Sequence, residues 1–153
     1  MNFTILISKL LVGSWPCDAD DFELLKVQGV TAILSLQSEG DQEDRTPGWE
    51  EASSRAAGLT FRNIAVTDYD AVDLESRLRV CVQALDELLS AGHTVFLHCT
   101  AGVYRSPTVA VAYMHWNRHW PLDRALEFVK QERECCPDAS VIRRASVRRG
   151  ESK

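Results

Sequence analysis

The segment HCTAGVYRSP, residues 98–107, places a nucleophile, small residues and a cation close together. Cys99 follows a hydrophobic stretch, and Arg105 follows Cys99 after five intervening residues. A loop that leads from a strand into a helix presents unpaired backbone N–H groups and the positive end of the helix dipole. Gly102 tolerates the positive φ that such a loop needs. These features are typical of a site for a tetrahedral oxyanion such as phosphate.

Two side chains of this segment suit phosphoryl transfer. Helix N-termini and nearby cations lower the pKa of a cysteine thiol from about 8.5 to roughly 3.5–7.5, so we expect Cys99 to be a thiolate at neutral pH. The planar fork of Arg105 can bind two phosphate oxygens and stabilise the transferring group. Cysteines after strands are more often small hydrophobic residues, and this is our expectation for Cys17 and Cys81.

A carboxylic acid that protonates the leaving oxygen typically accelerates such a reaction by about 10²–10⁴-fold. The segment TDYDAVD offers three candidates, Asp68, Asp70 and Asp73. The pattern alone does not choose among them. Asp73 stands before Leu74, which suits a helix N-cap.

Strand-like and helix-like segments alternate along the chain, and a polar loop at 38–48 separates two of them. The alternation predicts an α/β fold: one domain over residues 1–153, with a mostly parallel central sheet flanked by helices on both faces. Ligands of such sheets bind beyond the carboxyl ends of the strands, where Cys99 stands. Strands are predicted at 3–7, 10–13, 31–37, 59–66 and 93–98, and helices at 18–29, 49–58, 74–92, 106–119 (with Ser106 as its cap), 121–133 and 137–150.

Composition excludes several classes of function. The net charge of −5 argues against general binding to nucleic acid or anionic membranes. No apolar run approaches the roughly 20 residues of a membrane helix, and Lys9 interrupts the apolar N-terminal stretch, unlike a secretory signal. The five cysteines are odd in number and lack metal-site spacing, which favours a reducing compartment. We expect a cytoplasmic monomer.

The pattern His-Cys-x-x-Gly-x-x-Arg-Ser over residues 98–106 resembles the signature of cysteine-based protein tyrosine phosphatases, in the form of the dual-specificity branch. This resemblance implies that Cys99 forms a phosphocysteine intermediate and that Arg105 binds the phosphate. It implies that Ser106 hydrogen-bonds the departing thiolate and that His98 orients the loop. It implies neither a metal nor a cofactor. The backbone amides of residues 100–105 would join the Arg105 side chain in binding phosphate; they belong to Thr100, Ala101, Gly102, Val103, Tyr104 and Arg105 itself.

The same resemblance bears on the general acid. The family carries this acid about thirty residues before the cysteine, and close relatives use the first Asp of an Asp-aromatic-Asp triplet. This implies Asp68 as the acid, with Tyr69 as an aromatic wall for the substrate. Asp70 stays the alternative.

The sequence is compatible with more than one class of substrate. The segments TDYDAVDLESRL, VAVAYMHW and VIRRAS resemble the plant starch-excess glucan phosphatases and, more distantly, laforin. Tyr69, Trp49 and Trp116 are candidates for an aromatic sugar channel, but Tyr104 replaces the glycine of those enzymes. We therefore predict a protein phosphatase acting on phosphotyrosine and phosphoserine/threonine, with a phosphoglucan phosphatase as the alternative. A pseudophosphatase that binds phosphosites without hydrolysis is a third reading.

Overall fold

The structure, a computed structural model, describes residues 1–42, 45–46 and 48–148 of the 153-residue chain. The predicted domain over 1–153 and the end of the last predicted helix therefore extend partly outside the described residues. In chain order, the described strands and α-helices are β1 (Phe3–Ile7), β2 (Leu10–Gly13), α1 (Ala19–Val27), β3 (Ala32–Ser35), α2 (Trp49–Ala56), β4 (Thr60–Asn63), α3 (Ala71–Ser90), β5 (Val95–His98), α4 (Arg105–Asn117), α5 (Leu122–Glu132) and α6 (Ala139–Arg148). A short 3₁₀ helix, Glu39–Gln42, lies between β3 and α2.

The five strands form one mixed sheet in the order β1-β2-β5-β3-β4. The pairs β2–β5, β5–β3 and β3–β4 are parallel, and only the edge pair β1–β2 is antiparallel. Lys9, at the hairpin turn, has a φ of 69°. The predicted α/β fold with a mostly parallel sheet is confirmed.

The two faces of the sheet bury two separate apolar clusters. Side chains alternate between faces along a strand, so Ala32 and Leu34 join the larger cluster while Ile33 joins the smaller one. Helices α3, α4, α5 and α6 cover the larger cluster, and α1 and α2 cover the smaller one. The predicted helices on both faces are therefore present. In the described part of the chain, no helix combines the length and the apolar character needed to cross a bilayer.

The register of the parallel strands brings their carboxyl ends to one edge. Gly13 and Ser35 both pair with His98, and Ser35 also pairs with Asn63. The loops that follow these four strands consequently leave the sheet at the same level. This edge is where the sequence predicted the site.

Three local predictions are wrong. Asp70, not Asp73, is the N-cap of α3, and its carboxylate accepts a hydrogen bond from the Asp73 N–H at 3.0 Å. Ser106 lies inside the first turn of α4, after Tyr104 at the cap position; its hydroxyl faces Cys99 instead. Cys17 is exposed, because it stands in the loop after β2, whereas Cys81 is buried as predicted.

Candidate active site

Residues 99–104, the cysteine loop, join β5 to α4, and all their carbonyl oxygens accept hydrogen bonds from groups on either side of the loop. A trans peptide holds its C=O and the next residue's N–H on opposite sides. Hydrogen bonds that hold the carbonyl groups on the outside of the loop therefore direct its N–H groups toward the inside. The bonds to successive carbonyls come from His98 Nδ1 (to Cys99, 2.8 Å), Trp15 N (Thr100, 3.1 Å), Arg133 Nη2 (Ala101, 3.3 Å), Arg133 Nε (Gly102, 2.7 Å), Cys136 N (Val103, 2.7 Å) and Thr108 N and Oγ1 (Tyr104, 3.1 and 2.7 Å).

The N–H groups of this loop are left for a ligand. Those of residues 100–104 donate no hydrogen bond to any residue that the structure describes. A ring of unpaired N–H groups in front of a helix N-terminus is a nest for an anion. Gly102 is required here, because its φ is +72° and an added Cβ would lie 2.2 Å from Arg133 Nη2 and 2.6 Å from the Gly13 carbonyl carbon.

Cys99 lies at the start of this nest and is almost fully buried, with 2% of its surface exposed. Its Sγ is 3.3 Å from the hydroxyl oxygen of Ser106, which is also buried. A hydroxyl at this distance can donate a hydrogen bond to a thiolate. The structure therefore brings together two side chains that the sequence predicted to meet.

Arg105 is fully buried and its guanidinium is held at several points. Nη1 and Nη2 bond the two carboxylate oxygens of Asp41 at 2.8 and 2.9 Å, and Nη1 also bonds the Val66 carbonyl at 2.7 Å. Burial lowers the pKa of Arg105, but the hydrogen bond to Asp41 and the negative charges of Cys99, Asp41 and Asp68 together outweigh burial, so the pKa is raised. Nε has no hydrogen-bond partner among the described residues, although Asp68 Oδ1 lies 3.1 Å away as an ion pair.

Asp41, in the predicted polar loop, is a site residue that the sequence reading missed. Burial raises its pKa, but hydrogen bonds from Arg105, Thr100 and Ser38 together hold the pKa well below its usual range. The Thr100 hydroxyl donates to Asp41 at 2.7 Å while Asp41 accepts from Arg105. The ionised carboxylate thus fixes the orientation of the guanidinium. No local pattern marks it, because one acid among several in a loop looks solvated.

The three candidate acids differ in their contacts. Asp68 and Asp70 lie in residues 67–70, which we call the acid loop, and Asp73 follows in α3. Asp68 is the one that faces Arg105, and it also accepts from the Tyr69 N–H at 3.1 Å. Asp70 is committed to capping α3. Asp73 accepts from the Thr67 N–H at 2.7 Å, and this bond lowers the pKa of Asp73.

Tyr69 and Tyr104 form a stacked pair that joins the acid loop to the cysteine loop. Their ring centroids are 5.6 Å apart with an interplanar angle of 14°. Tyr69 is 73% exposed and has a φ of 55°. The Tyr104 hydroxyl donates to Asp138 at 2.6 Å, and burial together with this carboxylate raises the pKa of Tyr104. The pair offers a flat aromatic surface beside Arg105.

The other aromatic candidates have different positions. Trp116 is only 6% exposed and its indole N–H donates to Ser146 at 2.8 Å, so it is a core residue rather than a channel wall. Trp49 lines a cavity of about 410 Å³ together with Trp15 and Asp41. Because Asp41 also binds Arg105, this cavity adjoins the candidate active site.

A buried thiol on an anion-binding loop, an arginine that closes the loop and a carboxyl group beside it define a phosphoryl-transfer site of the cysteine type. The family described as "Dual specificity phosphatase, catalytic domain" matches residues 10–144. The chain therefore belongs to this family of cysteine-based phosphatases, as the resemblance implied.

Curated relatives come from both substrate groups. The chain is 34% identical over 146 residues to "Phosphoglucan phosphatase LSF1, chloroplastic" of Arabidopsis thaliana, covering 93% of this chain and 24% of that protein. It is 30% identical to "Phosphoglucan phosphatase DSP4, amyloplastic" of Castanea sativa, covering 96% and 40%. It is 30% identical to "Dual specificity protein phosphatase 1" of Mus musculus, covering 84% and 32%. The chain thus spans less than half the length of these relatives.

Solved structures share the fold. The active form of Tk-PTP has a TM-score of 0.76 at 19% identity, covering 99% of this chain and 97% of that chain. Human DUSP28 has a TM-score of 0.72 at 22% identity, covering 97% and 95%.

Proposed function

We propose that this chain hydrolyses phosphomonoesters through a phosphocysteine intermediate on Cys99. The Cys99 thiolate attacks phosphorus and the bond from phosphorus to the ester oxygen breaks. Protonated Asp68 gives its proton to the leaving oxygen. Arg105 and the inward N–H groups hold the phosphoryl oxygens, whose charge they stabilise during transfer.

The second step returns the enzyme to its starting state. Water attacks the phosphorus of phosphocysteine, and the Asp68 carboxylate accepts a proton from that water. The bond between sulfur and phosphorus breaks, inorganic phosphate forms, and Ser106 donates a hydrogen bond to the departing thiolate. His98 holds the Cys99 carbonyl throughout.

One observation carries this proposal: every carbonyl oxygen of the cysteine loop is bonded outward, while the loop N–H groups have no partner in the described part of the chain. An anion bound in the loop would supply acceptors for these unpaired donors. The position of Asp68 adds support. It faces Arg105 Nε, and a phosphate oxygen that binds Nε would displace Asp68 toward the leaving oxygen.

We propose phosphotyrosine and phosphoserine/threonine in proteins as the substrates. The stacked Tyr69 and Tyr104 support this, because aromatic faces pack well against a phenyl ring. The relative from Mus musculus is named a protein phosphatase.

A phosphoglucan is the second candidate substrate. The printed names of LSF1 and DSP4 favour it. Two features of this chain weigh against it: Tyr104 stands where the glucan enzymes carry glycine, and Trp116 is part of the core.

A direct comparison of substrates tests these proposals. Phosphate release would be measured from phosphotyrosine and phosphothreonine peptides, from phosphorylated amylopectin and from a small aryl phosphate. We expect turnover of the peptides and the aryl phosphate, abolished in Cys99→Ser. Faster release from amylopectin than from the peptides would favour the glucan candidate. Absence of turnover on all four substrates, with retained binding of a phosphopeptide, would favour the pseudophosphatase.

We also propose that the chain acts as a monomer in a reducing compartment, the cytoplasm. All five cysteines are free thiols, which supports this setting, and one relative is instead named chloroplastic. Light scattering of the purified chain and fractionation of cells that express it check the two statements.

A further inference from the structure

Glu50, in the first turn of α2, is a carboxylate that the proposed mechanism does not use. It is 3% exposed, whereas its neighbour Glu51 is on the surface and pairs with Arg55 at 2.7 Å. A buried carboxylate is strongly unfavourable unless it is paired and hydrogen-bonded. Glu50 therefore depends on a buried partner, and His98 provides it.

Glu50 contacts the cysteine loop through a single side chain. Its Oε2 bonds Nε2 of His98, and Nδ1 of His98 lies 2.8 Å from the Cys99 carbonyl oxygen. Because a carbonyl oxygen can only accept, Nδ1 carries the proton of that bond. His98 is fully buried and its ring stacks on Phe96 at 5.4 Å. Each ring nitrogen of His98 thus has its own partner: Nε2 bonds Glu50, and Nδ1 bonds the Cys99 carbonyl oxygen.

The Cys99 carbonyl matters because it shares a peptide plane with the Thr100 N–H. Holding this carbonyl outward directs the Thr100 N–H into the nest. The other carbonyls of the loop are held by backbone groups or by Arg133 and Thr108. The Cys99 carbonyl is held by His98 alone among the described residues, and a ring held at one nitrogen only can rotate.

A second charged side chain, that of Arg45, interacts with Glu50 through its charge. The Arg45 guanidinium carbon stacks 3.2 Å above the Trp15 ring centroid and 4.9 Å from that of Trp49. Burial lowers the pKa of Arg45, and the charge of Glu50 raises it. Both terminal nitrogens of Arg45 and Oε1 of Glu50 are buried without a hydrogen-bond partner among the described residues. Glu50 and Arg45 carry opposite charges and attract each other, while the direct partner of Glu50 is His98.

We infer that Glu50 is a positioning residue for the phosphate-binding loop: it fixes the His98 ring, which fixes the first peptide of the nest. This inference rests on the proposed phosphate-binding role of the cysteine loop. Glu50 does not touch the reacting atoms. Its loss affects the anion by turning the Thr100 N–H away from it.

Anion binding and turnover, measured separately, test this inference. Glu50→Ala removes the bond to Nε2, and Glu50→Gln keeps a hydrogen-bonding group there. We expect Glu50→Ala to weaken binding of inorganic phosphate about tenfold, a fraction of the loss seen when an oxyanion donor is removed outright. Its kcat on an aryl phosphate should fall by at least as much. Glu50→Gln should stay within about threefold of wild type in both, because rescue needs only the hydrogen bond.

The matched control is Glu51→Gln, which changes the adjacent surface carboxylate and should leave both quantities unchanged. If Glu50→Ala does not fold, Glu50→Asp replaces it, because its carboxylate is one methylene too short to reach Nε2. A folded Glu50→Ala or Glu50→Asp chain that binds phosphate as tightly as wild type would overturn the inference. So would a Glu50→Gln chain that is as defective as Glu50→Ala.

The role of Arg45 is tested by a double-mutant cycle. Arg45→Met should weaken phosphate binding less than Glu50→Ala does, and its effect should vanish in the Glu50→Gln background. Equal effects of Arg45→Met in both backgrounds would show that Arg45 does not act on phosphate binding through the charge of Glu50. Phosphate binding, followed by calorimetry, needs no turnover. A wild-type chain that binds phosphate but hydrolyses no phosphomonoester would therefore refute the proposed activity and leave the inference about Glu50 testable.

Discussion

The cysteine loop and the acid loop lie beside each other at the sheet edge but are held very differently. All carbonyls of the cysteine loop are bonded, Cys99 is 2% exposed and Arg105 is fully buried. In the acid loop, Tyr69 is 73% exposed with a positive φ. Among the described residues, Asp68 is held by its neighbour's N–H and by the ion pair to Arg105 alone.

The difference follows from what each loop has to do in the proposed mechanism. Dipoles that stabilise a transferring phosphoryl group act best when they are fixed in advance, so that no reorganisation is needed during the reaction. The acid has to serve two oxygens in turn, that of the leaving group and that of water. A lightly held carboxylate can reach both. Rigid binding and adjustable proton transfer are thus divided between two loops.

The largest effect is expected from breaking the rigid side at Arg105. Arg105→Lys keeps the charge but loses the planar fork that binds phosphate and Asp41 together. We expect kcat/KM on an aryl phosphate to fall by about 10³-fold. Arg55→Lys, on the surface of α2, is the control and should have no effect. A loss below tenfold for Arg105→Lys would show that a point charge suffices and that the fork geometry is unimportant.

A smaller effect is expected from the adjustable side. Asp68→Asn should lower kcat by about 10²-fold with little change in KM, because only proton transfer is lost. The loss should shrink for substrates whose leaving group is a weak base. Asp70→Asn is the matched control, since Asn caps a helix as well as Asp does, and it should stay within about twofold. The opposite ranking would move the general acid to Asp70.

What the sequence could predict is what a single continuous segment contains. Cys99, Arg105 and Ser106 follow one strand, and their spacing in the loop places them around one nest. The parallel sheet could also be predicted, because strand-like and helix-like segments alternate along the sequence with clear patterns of polar and apolar residues.

What it could not predict depends on distant segments. Asp41 and Glu50 reach the nest from two other segments, and Arg133 does so from the end of α5. None of them stands in a local pattern. The contacts that distinguish the candidate acids were also hidden from the sequence, because the N-cap role of Asp70 in α3 is seen only in the structure. The predicted Ser106 cap was wrong because α4 begins at Arg105, which places the cap position at Tyr104, two residues before Ser106.

The smallest effect concerns Asp41, which anchors the fork of Arg105 from outside the nest. Hydrogen bonds from Arg105, Thr100 and Ser38 hold its pKa well below the usual range despite burial. A carboxyl whose pKa is lowered on folding stabilises the protein above its unfolded pKa of about 3.9, and this stabilisation is lost as the pH falls toward the folded value.

We expect Asp41→Asn to reduce the free energy of unfolding at pH 7 by about 2 kcal/mol. The difference from wild type should narrow steadily below about pH 4, as followed by thermal unfolding. Asp20→Asn, an exposed acid in α1, should show almost no difference at any pH. A difference in stability between Asp41→Asn and wild type that stays constant down to pH 2 would mean that the ion pair with Arg105 is not its source. The rigidity of the cysteine loop would then depend on the hydrogen bonds to its carbonyl groups alone.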